Sequence, residues 1–208
     1  MSDAPESNPR DKALDAFLGL VAERGYGNVS LSDVGEAAGL GRAELYRLYP
    51  DKLALVAGFM ARVDGEVLAG TPEVVDPEET VRDRLFDMLM RRFDALKPHR
   101  PALNAIRRAG LRDPLMTLVL GPSLMRSMAA MLEAAGVPAR GVPGAVRQNA
   151  LAAIYAAVSR VFDKDDSADL SKTMAALDSR LKTAEKWAQT FDKYTNFRAR
   201  WPETAPAP

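Results

Sequence analysis

Apolar residues recur along this chain at steps of three and four, and no segment alternates with the period of two that marks a half-buried strand. Leu14, Phe17, Leu18 and Val21 share one face of a first helix over about Asp11–Arg24. Gly25 is placed to stop it as a left-handed C-cap. Ser30 offers an N-cap hydroxyl, and Asp33 stands three residues later in a capping-box arrangement. A second helix runs to Ala38, Gly39 supplies a tight turn, and a third helix covers about Arg42–Tyr49, ending at Pro50. A fourth follows from Lys52 to about Leu68, with Leu53, Val56, Phe59, Met60 and Val63 inward. Leu85, Phe86, Leu89, Phe93 and Leu96 stripe a fifth. Residues 99–110 form a short basic sixth. A seventh spans about 114–135, with a kink expected at Gly121-Pro122. The eighth, Val146 to Phe162, is apolar nearly all round. The ninth carries Leu170, Met174, Leu177, Leu181, Ala184, Ala188 and Phe191 as a packing seam. The pattern predicts an all-α fold of about nine helices.

Residues 30–52, SLSDVGEAAGLGRAELYRLYPDK, are the most informative stretch. A helix, a tight turn and a short second helix closed by an aromatic-proline break is the form of a helix-turn-helix DNA reader. The chain divides on this basis into an N-terminus without anchors (1–9), a helix-turn-helix domain (10–51) and a larger helical domain (52–201) opened by a linker helix over 52–68. A Pro-rich tail (202–208) follows. Both ends are expected to be disordered.

A helix apolar on every side must be buried on every side. Ala150, Ala153 and Ala157 of the eighth helix and Met174, Leu177 and Leu181 of the ninth therefore form either a homodimer interface or the monomer's own core.

Composition narrows the chemistry. With no cysteine, and His99 the only histidine among 208 residues, disulfides, thiol catalysis and histidine-rich or cysteine-ligated metal sites are excluded. No Gly-rich phosphate loop or catalytic constellation is present, so neither an enzyme nor a cofactor is implied. The acidic loop from Asp163 to Asp169 lacks the central glycine of a calcium loop, and Met174 stands where its bidentate glutamate belongs. No apolar run reaches transmembrane length and no signal pattern opens the chain, which points to a cytoplasmic protein. Formal net charge is +0, and over residues 10–56 six basic side chains meet seven acidic ones, so the reader domain has no basic surplus. Over residues 81–113 nine basic residues outnumber four acidic ones, which reads as a solvated face or as a greeting for an acidic headgroup.

Two further groups carry candidate chemistry. Methionines at 88, 90, 116, 125, 128 and 131 fall on the fifth and seventh helices, as core filling or as an adaptable apolar pocket. The pocket is placed among Phe86, Met90, Phe93, Met125, Met128 and Tyr155. Trp187, Phe191, Tyr194, Phe197 and Trp201 hold five of the chain's 14 aromatics within its last helix. Flanked by Lys186, Lys193, Arg198 and Arg200, they suit a peripheral membrane contact or a partner groove, or packing on the chain's own bundle.

Over residues 11–60 the chain resembles the TetR family of bacterial transcription regulators. The matching residues are Gly25-Tyr26, Ser30, Val34, Ala37-Ala38-Gly39, Leu45-Tyr46, Tyr49-Pro50 and Lys52. The resemblance implies a homodimer on a palindromic double-stranded DNA operator, controlled by an apolar or lipid-like effector in the C-terminal domain. It implies Ser30 as cap and phosphate contact, the third helix in the major groove, Arg42 and Arg47 facing DNA, and Tyr46 and Lys52 on phosphates. Gly41, Glu44 and Leu48 depart from the family pattern, and Glu44 brings a carboxylate toward the phosphates. Residues 153–181 also resemble TetR-shaped lipid-binding accessory proteins of ubiquinone biosynthesis, through Thr173, Leu177, Asp178, Arg180 and Leu181. That likeness implies the alternative of a lipid or isoprenoid carrier with a degenerate reader.

Overall fold

A computed structural model describes residues 8–74, 76 and 78–199, with side chains as far as residue 188. Among them are nine α-helices and two single 3-10 turns, and no strand. The helices are α1 (Pro9–Arg24), α2 (Leu31–Ala38), α3 (Arg42–Leu48), α4 (Lys52–Ala69), α5 (Val81–Leu96), α6 (Arg100–Gly110), α7 (Pro114–Ala134), α8 (Gly141–Phe162) and α9 (Ser171–Ala199).

Local chemistry sets most of these boundaries. Helix α1 opens at Pro9, earlier than its periodicity predicts, because the Asn8 side chain accepts the Arg10 N–H at 3.0 Å and proline suits the first helical position. Gly25 ends it at positive φ, but with ψ 152° it leads the chain away extended rather than in the left-handed cap expected. The capping box at α2 is complete. Asp33 N–H donates to Ser30 Oγ at 3.2 Å, and Ser30 N–H donates to the Asp33 carboxylate at 2.7 Å. The Ser30 hydroxyl also donates to that carboxylate at 2.6 Å, and these bonds from Ser30 hold Asp33 below the usual carboxylate range. Gly39, at φ 66° and ψ 29°, makes the left-handed turn to α3, a conformation that costs most side chains about 1 kcal/mol or more.

Tyr49, the residue that caps α3, is 4% exposed and packs on α4 where Gly58 leaves room. A Cβ at Gly58 would stand 2.6 Å from the Tyr49 ring. Gly58→Ala is expected to lower stability by about 1–2 kcal/mol, because overpacking of about 1–3 kcal/mol outweighs the gain of about 1 kcal/mol in helix propensity. Urea unfolding checks this, and an unchanged or raised midpoint would mean the ring swings aside.

The larger domain is a bundle in which α4 packs on α1, α5 and α7, α8 lies between α7 and α9, and α9 returns to α5. Helix α6 packs on α1, so the two domains share a core. Helix α8 begins five residues before the predicted Val146, because Pro143 falls in the first turn, where a missing N–H costs nothing. Helix α7 continues through Pro122. By length and mean hydropathy α7 meets the measure of a membrane span, contrary to the sequence reading. Met116, Ser127, Met128, Met131 and Leu132 are nonetheless buried in the bundle. Leu177 and Leu181 are core residues of the chain, at 0% and 4% exposure, because α9 turns them toward α5 and α8. The predicted dimer set is thereby reduced. Ala150, Ala153 and Met174 face outward and Ala157 is half-buried. Val142 and Val146 continue that outward stripe of α8. Of the aromatic stripe, Trp187 is 68% exposed, while the side chains of Phe191, Tyr194, Phe197 and Trp201 lie outside the described residues.

Most of the basic run over 81–113 serves as internal ties rather than a solvated face. Arg84 donates to the Ala135 and Asp76 carbonyls at 3.0 and 3.1 Å, and Arg91 to that of Gly70. Lys97 and Arg100 hold the α8–α9 loop at the Ala168 and Asp165 carbonyls. His99 is half-buried edge-on to Phe59, with ring centroids 5.0 Å apart. Burial, seconded by Arg62, pushes its pKa down, so it is a packing residue.

Candidate functional site

Helix α3 is a seven-residue rod held by one buried side chain, Leu45, which seats against α2. Leu48 packs half-buried beside the core, and the outer face is open. Arg42 and Arg47 are exposed, Tyr46 is 64% exposed and Glu44 is half-buried. Arg47 Nε reaches only the Ala43 carbonyl at a long 3.4 Å, so its guanidinium has donors to spare. Gly41 provides no side-chain cap, as its lack of a hydroxyl requires. Two residues expected on phosphates are occupied within the chain. Lys52 Nζ donates to the Tyr26 carbonyl at 2.9 Å and lies 4.5 Å from the centre of the Tyr26 ring. The Ser30 hydroxyl spends its hydrogen on Asp33. An ammonium has three donors, so Lys52 keeps two for another acceptor.

The second candidate is a cavity of about 370 Å³ in the bundle. Helices α4 to α8 all contribute to it. Val56 and Met60 come from α4, Leu103 and Ile106 from α6, and Met116, Leu120 and Leu124 from α7. Of the six residues expected on the pocket, Phe93 and Tyr155 line it, stacked on one another at 5.4 Å. The other four do not line it. Met90 and Met128 are buried in the packing between helices, and Phe86 and Met125 are half-buried against the core. Apolar periodicity gives the inward arc of each helix, but the packing of neighbouring helices decides which residues of that arc meet the space.

Charged groups that periodicity did not single out sit at the cavity. Arg92, 1% exposed, pairs with Asp64 of α4, and Asp64 also accepts the Ser127 hydroxyl of α7. Arg107 pairs with Asp163 at the end of α8 and reaches the Ser159 carbonyl at 3.4 Å. Burial lowers the Arg107 pKa, against a smaller opposing influence from Tyr155. One signal for Asp64 was available: it lies one turn beyond Met60, a lone carboxylate on the inward arc of an apolar helix.

Another carboxylate, Asp165, is fully buried and organises the start of α9. Its Oδ2 accepts the Thr173 N–H at 2.8 Å and hydroxyl at 2.7 Å, and its Oδ1 accepts the Ser167 N–H at 3.1 Å. Burial raises its pKa, but the bonds from Ser167 and Thr173 prevail and hold it well below the usual carboxylate range. Leu170 takes φ 56°, a left-handed value rare for leucine, and is fully buried there. Thr173, Leu177 and Leu181, which carried the likeness to the quinone accessory proteins, are thus a buried first-turn residue capped by Asp165 and two core residues.

Residues 13–58 match the model of bacterial regulatory proteins, tetR family. No curated protein matches the chain significantly. Solved structures with a similar fold include a TetR transcriptional regulator from Nitrosomonas europaea, 20% identical with a TM-score of 0.68, covering 85% of this chain and 97% of its own. GusR of Salmonella enterica is 18% identical with a TM-score of 0.58, covering 87% and 97%. A TetR-family regulator from Syntrophomonas wolfei is 15% identical with a TM-score of 0.61, covering 85% and 94%. None of these comparisons adds support for the quinone reading. The chain thus carries at its front a domain that matches bacterial regulatory proteins of the tetR family, and the helical architecture behind it has the fold of solved TetR-family regulators.

Proposed function

We propose that the chain is a ligand-responsive, DNA-binding transcriptional regulator of the repressor type, working as a homodimer on a palindromic operator. The observation that carries the reading is the exposed face of α3, with Arg42, Tyr46 and Arg47 free of strong internal partners while Leu45 fixes the helix from behind. Phosphate contacts position such a helix and a guanidinium reads guanine bidentately. An apolar effector filling the cavity touches Val56 and Met60, so its occupancy bears directly on α4, the helix that follows the reader. In a dimer, a shift of α4 changes the spacing of the two reader helices. The outward stripe of α8 and Met174 of α9 supply the surface for the second copy.

Selection of genomic fragments at low salt, followed by anisotropy titrations, tests the reading. Arg47→Ala is expected to relax preference at one base position by about 1–3 kcal/mol, and Lys52→Ala to weaken all sequences alike. With no basic surplus around the reader, the fall of affinity with salt should correspond to few phosphate contacts. Recovery of no preferred sequence at low salt would overturn the regulator reading.

A further inference from the structure

The cavity wall is largely apolar and carries two guanidiniums, of which Arg107 is partly exposed and paired with Asp163, whereas Arg92 is the deeply buried one. That guanidinium is almost fully buried, yet its donors are unevenly used. Nη1 faces Asp64, Nη2 reaches only the Met60 sulfur at 3.7 Å, and Nε has no hydrogen-bond partner. A thioether is a weak acceptor, and a guanidinium presents its donors as a rigid fork shaped for a carboxylate. A buried cation therefore borders an apolar chamber with donors unspent. The Tyr155 ring lies 5.1 Å from its centre and is itself stacked on Phe93, which holds the fork in place.

We propose that the molecule filling this cavity is an amphiphile with an apolar body and an anionic oxygen head, a carboxylate fitting best, and that Arg92 holds the head in competition with Asp64. This rests on the reading of the cavity as an effector site and names the chemistry of its ligand. The body lies against Leu103, Ile106, Met116, Leu120 and Leu124, in a volume of about 370 Å³. That volume falls within the range of small-molecule sites. The head also has a consequence for α4. Asp64 ties α4 to α5 through Arg92 and to α7 through Ser127. A carboxylate that takes the Arg92 fork weakens the first tie, whereas an uncharged apolar molecule fills the chamber and leaves it whole. Only a ligand that binds the two arrangements differently can shift their balance.

Isothermal titration of the full chain with decanoate, and with decanol as its uncharged counterpart, tests this. Decanoate is expected to bind about tenfold tighter or more. Asp64→Asn, which removes the competing charge, is expected to tighten decanoate by a further factor of about ten and leave decanol unchanged. The double variant Arg92→Met, Asp64→Leu, which keeps the site filled without charge, should bind both probes alike. Circular dichroism melts establish that each variant is folded. Equal binding of the two probes to the natural chain, or a carboxylate preference that survives in the double variant, overturns the head assignment and leaves the effector cavity standing. Binding of neither probe overturns both.

Discussion

Arg92→Met is expected to destabilise the folded chain by about 3–5 kcal/mol, the largest effect of any single substitution considered. The change removes little volume. Its cost comes from Asp64, whose buried Oδ1 is left without its cation while its other oxygen keeps only the Ser127 hydroxyl. A carboxylate with an enclosed oxygen and no counter-charge either remains as a penalty or takes up a proton, and both weaken folding. The paired substitution Arg92→Met, Asp64→Leu is expected to recover most of the loss, because a buried ion pair and a well-packed apolar pair of similar size differ little in stability. Urea unfolding of the two single variants and the double variant completes a thermodynamic cycle. Equal losses in single and double variants would place the role of Arg92 in packing on Tyr155 and Phe93 rather than in its charge.

The second large effect is at Asp165. Asp165→Ala is expected to cost about 2–4 kcal/mol, since it orphans the N–H and hydroxyl of Thr173, a residue with no exposure, and releases Ser167. The loss should appear first as fraying where α9 packs on α5 and α8, seen as faster amide exchange over 171–181. The pH dependence has a definite sign. The folded pKa of Asp165 lies below the unfolded value of about 3.9, so the folded state binds its proton less readily. Its contribution is complete above the carboxylate range and is lost as pH falls through about 4 and below. The stability gap between the natural chain and Asp165→Asn should therefore be constant from pH 7 to about 5 and narrow toward pH 3. A gap that stays constant through pH 3 would show that the charge of Asp165 contributes nothing.

These two carboxylates mark the boundary between what can be read along the chain and what cannot. The N-terminal third was legible because its determinants are local. Ser30 and Asp33 cap the same turn, Gly39 sets one left-handed residue, and Leu45 buries one side of a short helix. Each involves neighbours within a few positions, where backbone geometry fixes which side chains meet. Lys52 was legible only in part. Its place at the head of α4 was predicted, but its bond to the Tyr26 carbonyl depends on how α1 and α4 pack.

In the larger domain the periodicity located the helices but not their partners. An alanine-rich helix such as α8 is apolar on nearly every side, so sequence alone left open which face meets α7 and α9 and which stays outside. Leu177 and Leu181 consequently proved to be core, while Ala150, Ala153 and Met174 remain on the surface. The pocket followed the same logic, with Phe93 and Tyr155 on the cavity and Met128 packed behind it.

By itself, then, the sequence determined an all-α chain, the caps and turn of the helix-turn-helix, and the apolar arcs of the long helices, because those follow from helical periodicity and short-range hydrogen bonding. The tertiary structure alone decided that Arg92 is buried against Asp64, that Asp165 anchors α9, and that a largely apolar cavity carries a buried guanidinium with donors to spare. Burial and charge pairing are properties of groups brought together from distant helices, and a linear pattern records the hydrophobicity of each face without recording what that face will touch.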